Sequence, residues 1–140
     1  MMLFGTYVNL LAVLVAAVVA FGLGALWYSP VLFARQWVRA NGYENMSREE
    51  MQRGAGRAYG VSFVAFLVMA LALAVFIGRI GITFWLGGLK AGVLAWVGFV
   101  ATTGLMANMY SRRPFAAWYI DAGYQLIYLA MMGAIIGCLR

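Results

Sequence analysis

The sequence predicts an all-α polytopic membrane protein: one domain over residues 1–140, with four transmembrane helices and a short interfacial amphipathic helix after the first. Three observations predict it. Four apolar runs are each long enough to cross about 30 Å of hydrocarbon, which takes about 20 residues. Charged residues make up 10% of the chain, against about a quarter in a soluble domain. Aromatic, proline and basic residues cluster at the interruptions between the runs, as they do where a chain leaves a bilayer.

The first span covers about residues 4–28. It lacks a basic leading segment and is longer than the apolar stretch of a signal peptide, so it is expected to be retained. Trp27 and Tyr28 mark its interface, and Pro30 disfavours helix at Ser29 and ends it. Over 31–40, Arg35 and Arg39 share one helix face while Phe33 and Trp37 offer apolar surface. That pattern predicts a helix lying in the membrane interface. Asn41-Gly42 stops it. Ser47 and Glu50 form a capping box, so a helix starts near Arg48 and runs toward the second span, its continuity weakened by Gly54, Gly56 and Gly60. The second span covers about 58–78, the third about 86–109 and the fourth about 115–138, with tight connections at 80–83 and 111–114.

Charge sets the expected topology. The first and third connections hold Arg35, Arg39, Arg48, Arg53, Arg57, Arg112 and Arg113. The opposite side holds Arg79, Lys90 and Arg140. Loops 29–57 and 111–114 are therefore expected in the cytoplasm, with both termini outside.

Polar groups inside spans are costly and mark candidate sites. Asp121, Tyr124, Gln125 and Tyr128 recur at three- and four-residue spacing and so share a face of the fourth helix, which Trp118 extends. Thr102 and Thr103 on the third span are expected at similar depth, as donors to Asp121. The bland reading of this face is interhelical hydrogen bonding, worth about 0.6 kcal/mol per bond. The sharper one is a protonatable or cation-binding carboxylate. Asn9 is the polar residue of the first span, and Lys90 is expected to snorkel to the opposite headgroups.

Gly88 with Gly92 and Gly133 with Gly137 both fit GxxxG, and Ala95 and Gly98 continue the first face. Such faces let helix backbones approach closely, within a bundle or between subunits. The chain has no histidine and one cysteine, and it shows no phosphate loop, catalytic triad or paired catalytic carboxylates. No metal and no cofactor are expected.

The chain resembles the bacterial and fungal membrane family called domain of unknown function 1761. The likeness rests on Trp27-Tyr28-Ser29-Pro30 with Phe33 and Trp37, on Gly98-Phe99-Val100-Ala101-Thr102-Thr103, and on Asp121-Ala122-Gly123-Tyr124-Gln125 followed by Met132-Gly133-Ala134-Ile135-Ile136-Gly137. Members typically carry Asn and His where Asp121 and Gln125 stand here, so neither an acidic nor a histidine role is inherited. The resemblance implies a four-span integral membrane protein, expected in a bacterial inner membrane, and implies no activity.

The expected function is non-catalytic: an oligomer-forming or accessory subunit packing within a larger membrane complex. The alternative is a small oligomeric transporter or channel using the polar face around Asp121. An enzyme acting on a lipid or quinone-like substrate ranks third. The expected partners are the lipid bilayer and other membrane subunits or further copies of the chain, and not nucleic acid.

Overall fold

The computed structural model describes residues 1–140 and is helical almost throughout. A hairpin of β1 (Met2–Leu3) and β2 (Thr6–Tyr7) leads into α1 (Leu10–Trp27). There follow α2 (Ala34–Ala40), α3 (Arg48–Gln52), α4 (Ala55–Ile80), α5 (Trp85–Ala95), a π-helical turn (Trp96–Val100), α6 (Ala101–Tyr110) and α7 (Phe115–Cys138). Four helical stretches are long and apolar enough to cross a membrane: α1, α3–α4, α5–α6 and α7.

The first span is shorter than the apolar run predicts. Residues 2–7 form a two-stranded ribbon because Phe4 and Gly5 both adopt positive φ, 47° and 75°, the combination a two-residue hairpin turn needs. Asn9 then caps α1, its side chain accepting from the Leu11 and Ala12 amides. It is a cap outside the helix and not a polar residue within the span. α2 also starts later than the pattern predicts, because 30–33 are taken up by the turn after Ser29. The Ser47 cap is present, with its hydroxyl 3.1 Å from the Glu50 amide. The helix it starts ends at Gln52, and Gly54 at φ 76° separates α3 from α4. Gly81 at φ 82° closes α4, and the Ile82 amide returns to the Ile77 carbonyl.

α7 is the hub, packing against α1, α4 and α5 and, more loosely, α6. One of its faces meets a wall of small residues on α1 (Ala12, Ala16, Ala17, Ala20) and the Phe66, Ala70, Leu73, Ala74, Ile77 stripe of α4. Its other face meets α5. There the two GxxxG motifs pair with each other inside one chain. A Cβ on Gly88 would overlap the Gly133 carbonyl, and one on Gly92 would overlap the Leu129 carbonyl. One on Gly137 would stand 2.6 Å from the Phe84 carbonyl oxygen. Lipid provides no apolar drive for helix association, so this close backbone approach is what holds α5 to α7. Gly98 lies outside that contact, with open space where a side chain would sit.

The end carrying the α1–α4 connection and the α6–α7 turn is the basic end. At the other end Arg140 donates to Thr6, Gly78 and Ile82, and Asn9 Nδ2 donates to the Leu139 carbonyl at 2.7 Å.

Gly92→Leu should separate α5 from α7 and destabilise the bundle by about 1–3 kcal/mol. Gly98→Leu should stay within about 0.5 kcal/mol of the parent. Denaturant titration in mixed micelles, followed by circular dichroism, measures both.

Candidate functional site

Asp121 lies two turns into α7 on the side facing α1, with its side chain 26% exposed. A carboxylate there needs donors, and three arrive from three other parts of the chain. Tyr28, just past the end of α1, donates its hydroxyl to Oδ1 at 2.6 Å. Trp37 on α2 donates its indole N–H to the same oxygen at 3.2 Å. Arg113, in the α6–α7 turn, places Nη2 at 3.3 Å from Oδ2. Arg113 also reaches across to Asn41 Oδ1, with Nη2 at 2.6 Å and Nε at 3.1 Å.

Local backbone chemistry aims each donor. Ser29 and Pro30 turn the chain at the end of α1, and the Phe33 amide returns to the Trp27 carbonyl. This stacks Phe33 on Trp27, ring centroids 4.6 Å apart, and swings α2 back over the end of α7. Trp27 itself donates to the Ile120 carbonyl at 3.0 Å. Asn41 ends α2 with Nδ2 on the Trp37 carbonyl, which leaves Oδ1 free for Arg113. Arg112 takes φ 54°, a left-handed turn after α6, and the Arg113 amide closes on the Asn108 carbonyl.

The predicted polar face of α7 divides. Asp121, Tyr124 and Tyr128 turn toward α1 and α4; Tyr124 donates to the Ala20 carbonyl at 2.6 Å, and the Tyr128 hydroxyl lies 3.6 Å from Met69 Sδ. Gly24 makes room for the Tyr124 hydroxyl, since a Cβ there would stand 2.7 Å from it. Gln125 and Trp118 instead turn toward Gly104 on α6. Thr102 and Thr103 do not meet Asp121. Both are exposed, and the Thr102 hydroxyl bonds the Gly98 carbonyl of its own helix. The side of α6 turned into the bundle carries Ala101 and Asn108, seven residues apart, and Thr102 and Thr103 follow Ala101 by about 100° and 200° around the helix. In the π-helical turn before it, the Trp96 indole bonds the Ala122 carbonyl. Ala95, half-buried, lies next to that turn. Lys90 is exposed and forms no ion pair; Asp121 is paired with Arg113.

Tyr28, Trp37, Asp121 and Arg113 form the polar head of a cleft of about 1140 Å³ between α1, α2, α4 and α7. Phe21, Gly24 and Ala25 form its α1 wall, and Ala58, Tyr59, Ser62 and Phe66 its α4 wall. Asn41 and Tyr43 complete the rim. Ligand cavities commonly run to roughly 300–1,000 Å³, apolar with a few convergent polar groups. No group of three His, Cys, Asp or Glu stands together to hold a metal.

The family model described as Protein of unknown function (DUF1761) matches residues 11–137. The chain belongs to this family. No curated protein and no solved structure matches it. The matched range spans nearly all of α1 to α7, so the Asp121 network and the cleft of this DUF1761 member lie wholly inside it. Arg113 and Asn41 were the site residues hardest to see, because in sequence one is loop charge and the other a helix stop. A donor count would have found Arg113: a carboxylate near the basic end needs cations or N–H groups within reach.

Asp121→Ala removes the acceptor that Trp37 and Tyr28 share. Backbone amides of 34–41 should then exchange hydrogen faster, with protection falling by about tenfold or more. Hydrogen-exchange mass spectrometry on the detergent-solubilised chain reads it, and Lys90→Ala should leave the segment unchanged.

Proposed function

We propose that this chain is an integral membrane protein that binds an amphiphile from the leaflet at its basic end, without catalysing its conversion. The observation that carries this reading is the cleft, with apolar walls along α1 and α4 and a polar head at Asp121 and Arg113. An amphiphile has the matching two-part chemistry: a chain for the walls and a head for the rim. The excess of arginine at this end supports a cytoplasmic position for it, with both termini outside and the amphiphile drawn from the cytoplasmic leaflet.

Two other readings have less support. The glycine motifs suggested assembly with other subunits, but the α5–α7 contact already occupies Gly88, Gly92, Gly133 and Gly137. A cation pathway through Asp121 would have to displace Arg113 and compete with Tyr28 and Trp37.

Filling the cleft tests the proposal. Ala58→Trp and Ser62→Trp project bulk from the α4 wall. Native mass spectrometry of protein extracted in mild detergent should show lipid retained by the parent, and about tenfold less by either variant. Equal retention by parent and variants would refute the binding role. Recovery of the parent only as a stoichiometric complex with another membrane protein would favour the accessory role.

A further inference from the structure

We infer that the head of the bound amphiphile is a terminal anion, a carboxylate or phosphate monoester, received by Arg113; this rests on the cleft being a binding site. The donors and acceptors at the cleft head favour that charge. Both oxygens of Asp121 are engaged, Oδ1 by Tyr28 and Trp37 and Oδ2 by Arg113. Asn41 Oδ1 already accepts twice from Arg113, and Asn41 Nδ2 is bound to the Trp37 carbonyl. Arg113 already pairs with Asp121, so a ligand ammonium would have to compete with a guanidinium for that carboxylate.

The donors are not saturated. Arg113 uses Nε and Nη2, and both N–H groups of Nη1 have no partner in the protein. Its side chain is 39% exposed, so the free edge is reachable from the rim. The hydroxyls of Tyr43, Tyr59 and Ser62 also line the cleft with no hydrogen-bond partner, and each can turn to donate. A guanidinium only donates, and its planar pair of N–H groups matches the oxygens of a carboxylate or phosphate.

The surrounding charge has the same sign. Of the arginines at this end, only Arg39 and Arg113 form ion pairs, Arg39 at 3.9 Å from Glu44. Arg35, Arg57 and Arg112 are exposed and unpaired, so the approach to the rim attracts anions. Beneath the head, Phe21 and Phe66 supply the apolar depth that a free inorganic anion would not use.

Trp27 beside the cleft and Trp37 within it make brominated lipids the probe. The full chain is reconstituted in phosphatidylcholine nanodiscs containing either brominated phosphatidic acid or brominated phosphatidylcholine at equal mole fraction. Tryptophan quenching then reports occupancy of the cleft. The expected result is a preference of about tenfold for the phosphatidic acid, lost in Arg113→Gln and retained in Arg112→Gln, which removes one nearby surface charge. Arg113→Lys keeps a cation for Asp121 and holds the test open if Arg113→Gln misfolds; it should lose most of the preference, since one ammonium cannot pair with Asp121 and also present a planar pair of N–H groups to the anion. Survival of the full preference in Arg113→Gln or in Arg113→Lys overturns the assignment. Equal quenching by both lipids, abolished by Ala58→Phe, which fills the cleft without adding an indole, overturns the anion but leaves the cleft as a neutral-lipid site. Quenching unaffected by Ala58→Phe removes the cleft itself. Inorganic phosphate should not displace the brominated lipid; displacement would mean that the site takes a free anion instead.

Discussion

A carboxylate placed inside an apolar helix must be matched or the helix cannot stay there, and the basic end of this molecule is arranged around that demand. Asp121 recruits a phenol from the end of α1, an indole from α2 and a guanidinium from the α6–α7 turn. Tyr28 and Trp37 stand 93 and 84 residues from Asp121 in the sequence, and one carboxylate holds them together with the α6–α7 turn. Hydrogen bonds to an ionised group are stronger than neutral ones, and losing one partner leaves the others uncompensated. α2 buries no residue and α3 lies beyond it in the same long connection, so α2 has little packing of its own to hold it. Its place over α7 depends on Trp37, Asn41 and the Trp27–Phe33 stack.

The cleft follows from the same constraint. Arg113 bridges Asp121 to Asn41 and so keeps α2 drawn across the head of the bundle rather than packed down between α1 and α4. Below it, small residues at Ala25 and Ala58 leave space that larger ones would fill. On the opposite side of α7 the small residues do the reverse. Glycines at 88, 92, 133 and 137 close the gap between helices completely. One helix therefore presents aromatic and acidic chemistry to an open cleft and bare backbone to a tight contact.

The π-helical turn links these two behaviours. α5 must stay in register with the α7 glycines, while α6 carries Asn108, which is 4% exposed and bonds the carbonyls of Arg113 and Pro114. The wide turn at 96–100 lies between these two stretches, and Trp96 within it bonds the Ala122 carbonyl. Asn108 in turn orders the turn from which Arg113 reaches Asp121.

Much of this architecture was legible from local chemistry. Apolar run length predicted four spans, Pro30 predicted the exit from the first, Ser47 its cap, and GxxxG spacing the close approach of two helices. These are properties of segments a few residues long, and each depends on backbone geometry that neighbours in sequence determine. What the sequence left open needed contacts between distant segments. Trp27 and Tyr28 read as an interfacial belt because aromatic residues at a span's end usually are one, and Trp37 as apolar surface of the helix that follows. Only the folded chain brings two of them onto Asp121 and the third onto the Ile120 carbonyl. Thr102 and Thr103 had the right depth, but α6 turns Ala101 and Asn108 into the bundle instead, a choice made by packing against α7. By itself, then, the sequence determined which segments are long and apolar enough to cross a membrane and which side chains could not be left in lipid. The tertiary structure alone decided who satisfies them, because a buried charge takes its partners from wherever the packing of helices brings donors within reach.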